Sequence, residues 1–314
     1  MDSFLFSLNA TAPVFLVMVL GYILKQIGMF TEQFCSVADR YVFKVALPVL
    51  LFRDIAQTNL YADFDPAFVG YCAGVTCVMF LGVWFLTARL MRDKRMVGAF
   101  AQGAVRSSAA VLGIAFVENI YGSAGLAPLM IVSAVPLFNI FSVVILTFSA
   151  DGGAQGNGAV KRACINVLKN PIILGILAGL PFSMLRIEIP TIPLKVVDSV
   201  ASMATPLALL VVGAGFEGAK ALAKLRPTIA ASAIKLVALP AAFLPLAVRC
   251  GFSGAEMVAI LVMLGSPTTV TSYIMAKNMN NDSALASSIV VLTTLVSAIT
   301  LTGWIFLLRV FQLI

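Results

Sequence analysis

The chain has 314 residues, of which 61% are hydrophobic and 11% charged, with a net charge of +7. A soluble domain carries roughly a quarter charged residues, so this composition excludes a water-soluble globular fold and predicts an all-α polytopic membrane protein, with the lipid bilayer as solvent. No histidine is present and the cysteines (Cys35, Cys72, Cys77, Cys164, Cys250) show no CxxC spacing, which excludes histidine relays and cysteine-based zinc or redox centres.

A membrane helix needs about 20 apolar residues. Ten segments qualify: 4–28, 34–57, 66–90, 97–120, 125–149, 169–187, 192–216, 227–249, 254–277 and 284–311. The first is read as a span and not as a cleaved signal, because Asp2 is the only charge before Lys25. Basic residues cluster in alternate loops: Arg89, Arg92, Lys94 and Arg95 after span three, Lys161, Arg162 and Lys169 after five, Lys220, Lys224 and Arg226 after seven. The positive-inside rule makes those loops cytoplasmic and leaves both termini outside. The net charge follows from this asymmetry, and no nucleic-acid partner is expected.

The Gly-rich stretch "DGGAQGNGAVKR" from Asp151 reads as a flexible cytoplasmic linker. It divides the chain into a first five-helix repeat (1–150), the linker (151–168) and a second repeat (169–314). Five spans is an odd number, so the second half enters the membrane upside down, the signature of an inverted repeat. Local matches agree: "LPVLL" at Leu47 pairs with "TPLALL" at Thr205, since 206 − 48 = 158, and "SSAAV" at Ser107 pairs with "SPTTV" at Ser266, since 266 − 107 = 159.

A proline has no N–H and leaves the carbonyl four residues earlier without its helical donor. Pro48, Pro206 and Pro267 therefore free the carbonyls of Lys44, Ser202 and Met263. Broken backbone is tolerated in a membrane where it is buried in protein or lines a cavity. If spans four and nine both unwind near their middles, two half-helix N-termini converge there and favour an anion. The hydroxyls of Ser107, Ser108, Ser266, Thr268 and Thr269 would surround it. The plainer reading of any one hydroxyl is a bond to its own helix, and kinked helices need bind nothing; the two related clusters together favour a site.

The chain resembles the auxin efflux carrier family, through "ALPVLLF" (Ala46–Phe52), "VPLFNIFSVV" (Val135–Val144), "SPTTVTSYIMAKNMNND" (Ser266–Asp282) and "SSIVVLTTLVSAITL" (Ser287–Leu301). That family includes carriers of auxin and of malonate- and malate-like acids, and is related to the bile acid:sodium symporters. The resemblance implies broken, crossing helices four and nine with substrate at the crossing. It implies surrounding domains built from spans one, two and five with six, seven and ten, and a homodimer as the assembly to look for. Pro48, Asn139 and Thr271 join the implied substrate site through the same motifs. Ser108, Ala115 and Thr271 depart from the family's usual Asn, Pro and Asn, which bears on the substrate more than on the mechanism.

An intramembrane charge is a functional-site hypothesis by default. Arg106 opens the span-four break, about 15 Å deep at 1.5 Å per residue, where a guanidinium could clamp a carboxylate. The alternative is a salt bridge to a carboxylate such as Asp39, Glu118 or Asp198, or snorkelling. Lys44 and Asp198 are candidate charge or proton partners, while Lys235 reads as a snorkelling residue of a peripheral span. The expectation is a secondary carrier or uniporter of a small organic anion, such as a mono- or dicarboxylate, in a bacterial inner membrane. It has no metal or cofactor, is coupled to H⁺ in preference to Na⁺, and works by alternating access. A sodium-coupled symporter of the bile-acid type is the alternative, and an intramembrane enzyme lacks the nucleophile–base pair it would need.

Overall fold

A computed structural model describes residues 2–57, 65–109, 117, 120–121, 127–150, 164–165, 167–216 and 222–314. Most of the second half of span four, with Ala115 and Glu118, and most of the linker lie outside the described residues. Every described element is helical. In chain order they are α1 (Asp2–Gln26), α2 (Glu32–Tyr41), α3 (Leu47–Ala56), α4 (Pro66–Leu90), α5 (Val97–Val105), α6 (Ala127–Ser149) and α7 (Pro171–Leu185). There follow α8 (Thr191–Ser202), α9 (Ala204–Ala214), α10 (Leu225–Ala233), α11 (Leu239–Arg249), α12 (Gly254–Gly265), α13 (Thr271–Asn278) and α14 (Ser283–Val310).

Among the described residues, five helical stretches are long and apolar enough to cross a membrane: Pro66–Leu90, Ala127–Ser149, Thr191–Ala214, Leu225–Arg249 and Ser283–Val310. The other predicted spans are interrupted, shorter or more polar. Span six is the 15-residue α7. Span two carries Asp39, Arg40, Lys44, Arg53 and Asp54. Spans four and nine stop part-way, at Val105 and Gly265.

The prolines shape the helices as their chemistry requires. Pro206 follows an interruption at Met203. Pro48 follows a π-turn over Val42–Ala46, in which Leu47 N–H reaches back five residues to Val42 O. A second π-turn, Ile234–Ala238, precedes Pro240, with Leu239 N–H bonded to Ile234 O. The wider turn takes up the position at which a proline withholds a donor. The same four residues, Val-Ala-Leu-Pro, close both turns.

Two groups of helices result. In one, α3 packs on α7 and α8, and α1 packs on α9. Their backbones approach closely: a Cβ at Gly213 would meet the Met18 carbonyl, and one at Gly175 would meet Pro48. Small residues at such crossings let membrane helices gain packing that lipid cannot supply. In the other group α4 packs on α5 and α6, α11 on α12, and α10 on α14. Its core includes Phe80, Phe138, Met257 and Leu261, all nearly inaccessible. A second cluster, with Val42, Ala104, Val212 and Ile274, joins the two groups.

This grouping corrects the expected surrounding domains. Span five belongs with three and four, because Phe138 and Phe141 of α6 meet Phe80 of α4 at ring-centroid distances of 5.7 and 5.5 Å. Span ten packs on eight through α10 and on nine through α12 and α13, and its α14 makes its most extensive contact with any single helix on α1.

Candidate functional site

The site is built from two helix ends. At Arg106 the backbone turns extended (ψ 130°) and α5 stops. At Ser266 it does the same (ψ 156°), and the helix resumes only at Thr271. Pro267 accounts for the second break. Met263 O has no helical donor and is taken instead by the hydroxyl of Ser107, from the opposite break. Leu264 O also loses its helical donor, because Thr268 N–H turns to Thr293 Oγ1 at 3.1 Å. In return, Thr268 Oγ1 donates to Gly103 O of α5 at 2.6 Å.

The two breaks are joined through the backbone as well. Ser108 N–H donates to Pro267 O at 3.0 Å. These residues are also related by the repeat spacing, since 267 − 108 = 159. A symmetric pair would exchange two bonds; proline has no hydrogen to return, and one remains.

Beside this junction lies a cavity of about 80 Å³. Its polar lining is Arg106, Ser107, Ser108, Asn139, Thr205, Thr269, Thr271 and Asp54; Leu47, Leu51, Phe138 and Ile172 are among the apolar walls. A water molecule needs only about 10–15 Å³ of such volume, so several waters fit. Asn139 Oδ1 accepts from Arg106 Nη2 at 2.6 Å, and its Nδ2 donates to Val135 O at 2.9 Å. The other guanidinium nitrogen lies against Met275 Sδ. Arg106 is 5% exposed and bonds no carboxylate among the described residues. The acid at the cavity, Asp54, is held by Arg53 at 2.7 Å.

The structure brings Arg106, Ser107, Ser108, Asn139, Thr269 and Thr271 to one cavity. Pro267 and Thr268 hold the junction beside it. Ser266 is buried with no partner for its hydroxyl among the described residues. Pro48 lies outside the lining and packs on α7. Lys44 is exposed on its π-turn and does not reach the cavity. Asp198 faces Arg53 at 4.0 Å, not Lys44 or Arg106. Asp39 pairs with Lys277. A larger hollow of about 510 Å³ at the α3 and α7 ends, by Gln57, Arg186 and Glu188, shares no residue with the crossing.

Lys235 is the residue that sequence reasoning missed. It is 0% exposed, and its ammonium donates to Ser107 Oγ and Leu264 O. Its sequence signal was the second Val-Ala-Leu-Pro, which repeats the segment after Lys44. Thr205, Asp54 and Thr293 were missed as well.

The description of one family, membrane transport protein, matches residues 6–305. The chain belongs to that family. It is the family to which the sequence resemblance pointed. Similar proteins include a transporter of uncharacterised function from Methanothermobacter thermautotrophicus, 22% identical over 96% of this chain and 98% of its own. A Rhizobium meliloti protein named as a malonate transporter is 23% identical over 95% of this chain and 94% of its own. The mouse lysosomal cholesterol signaling protein is 25% identical over 67% of this chain and 26% of its own. The chain is an integral membrane protein of a transporter family.

Proposed function

We propose that the protein carries a small organic anion, a mono- or dicarboxylate of the malonate or malate kind, and binds it in the cavity beside the two helix ends. The observation that carries this reading is Arg106: a buried guanidinium at a polar cavity, with no carboxylate on it among the described residues. Taking such a charge out of water is costly unless it is paired. Asn139 and Met275 leave its charge uncompensated, and a substrate carboxylate supplies the missing partner through charge-assisted hydrogen bonds. Ser108, Thr269 and Thr271 provide hydroxyls for the remaining oxygens, while Ser107, whose hydrogen is on Met263 O, holds the cavity wall. The name of the Rhizobium relative is consistent with this chemistry.

Alternating access is the mechanism we infer. The group around α1, α3, α7, α8 and α9 is held by close backbone contact, and the group carrying the breaks would move against it. The ten-span inverted topology, with both termini outside a bacterial inner membrane, is the arrangement in which Ser108 and Pro267 sit on a pseudo-twofold axis. Proton coupling or uniport is preferred to sodium coupling, because the described crossing offers hydroxyls and carbonyls and its acid is already engaged by Arg53.

The test is uptake of labelled malonate, malate and related acids into proteoliposomes under imposed proton or sodium gradients. A charge-assisted hydrogen bond contributes about 1.5–3 kcal/mol, so Arg106→Ala should weaken the apparent affinity about ten- to a hundredfold. Uptake unchanged by that substitution would remove Arg106 from the site. Uptake that requires sodium would favour the bile-acid type of symport.

A further inference from the structure

Lys235 has a property that the anion site does not use. Its π-turn is enclosed by α5, α10, α11, α12 and α14. The charged residues of those helices are Arg226, Arg249, Glu256 and Arg309, with Arg106 at the α5 end, and none of them pairs with Lys235. Its partners are a hydroxyl and a main-chain carbonyl. That carbonyl, Leu264 O, lies in the last turn of α12, where the helix dipole is negative. Oxygen donors of this kind at the C-terminal end of an interrupted half-helix are what a transporter offers to a monovalent cation.

We propose that the break between α12 and α13 is a monovalent-cation site whose occupant is the ammonium of Lys235, so that the protein works without a dissociable sodium ion there. The side chain brings the cation covalently, and Ser107 passes its influence on. The Ser107 oxygen accepts from Lys235 while its hydrogen goes to Met263 O. One hydroxyl thus fixes the α5 end against the α12 end, beside the Arg106 cavity. Only the consequence for transport rests on the crossing being the moving site; the cation site itself stands on burial and donor chemistry.

The test is thermal unfolding of the purified full chain in detergent, a readout independent of any substrate. Lys235→Ala should lower the melting temperature by several degrees. Sodium chloride or ethylammonium chloride at tens of millimolar should restore it, and tetramethylammonium chloride, which cannot donate and is too large, should not. Lys235→Met, which fills the space without the charge, should be destabilised and unresponsive to either salt. The wild-type protein should melt at one temperature in sodium and in choline buffers. The proposal is overturned if Lys235→Met matches the wild type, if Lys235→Ala recovers with no cation, or if the wild type is stabilised saturably by sodium. Where neither variant yields folded protein, the wild-type comparison decides. A failure of malonate uptake would count against the anion reading alone.

Discussion

The two π-turns differ in what they place at one inward position. Counting back from the proline of each Val-Ala-Leu-Pro, the fifth residue is buried in both: Phe43 at 6% exposure and Lys235 at 0%. The third residue faces outward in both, Val45 at 41% and Val237 at 49%. Turn and proline therefore set the direction, and the sequence sets the chemistry. Phe43 enters an apolar cluster with Ala104 and Ile274. Lys235 meets a hydroxyl and the Leu264 carbonyl, which Thr268 N–H has left for Thr293. A charge is tolerated inside this bundle where the oxygens of a facing helix break receive it, and an aromatic ring is used where the facing side chains are apolar.

The substitution that breaks this comparison most severely is Phe43→Lys. It would put an ammonium at the equivalent inward position among apolar side chains, without the Ser107 and Leu264 oxygens that receive Lys235. A lysine at the centre of a membrane helix costs about 2.5–3.5 kcal/mol, and the lost ring adds to that. We expect loss of monodisperse protein on size exclusion, or a melting temperature far below that of the wild type. A well-folded Phe43→Lys protein would show that inward lysines need no special partner.

Trp304→Phe tests the second turn more gently. Pro240 has no N–H for Leu236 O, and the Trp304 indole donates to that carbonyl at 2.9 Å. Leaving a buried acceptor unmatched costs about 1–3 kcal/mol. The expected result is a moderate drop in melting temperature, with faster amide exchange across residues 234–238 and little change across the first turn. Equal exchange in both turns would mean that the indole does not hold the second one in place.

Much of this was legible in the sequence. Composition identified the solvent, and the apolar runs located the helices. Pro267 was enough to predict that Met263 O would lose its partner, since that follows from the covalent structure of proline alone. The grouping of helices was not legible, because a helix apolar on all sides carries no periodicity to say which face packs where. Lys235 was misread for the same reason. A long side chain in an apolar run is ordinarily taken to snorkel, and only the enclosure by α5, α12 and α14 around its own helix shows that this one cannot reach water. Ser107 was picked out as a hydroxyl for substrate; that it also receives Lys235 and caps the opposite half-helix needed the two breaks in one frame.

The smallest expected effect belongs to Lys44. It lies one residue closer to its proline than Lys235 does, a rotation of about 100° on an α-helix of 3.6 residues per turn, and it is exposed. Exposed substitutions away from caps and cores usually stay within about 0.5 kcal/mol. Lys44→Gln should therefore leave melting temperature and malonate uptake at wild-type values, while the inward lysine of the other turn responds strongly to its own replacement. A clear loss of uptake with unchanged stability would give Lys44 a part in the transport cycle, in a conformation where its turn faces the path. The inward position would then not be what separates a working lysine from a bystander in this fold.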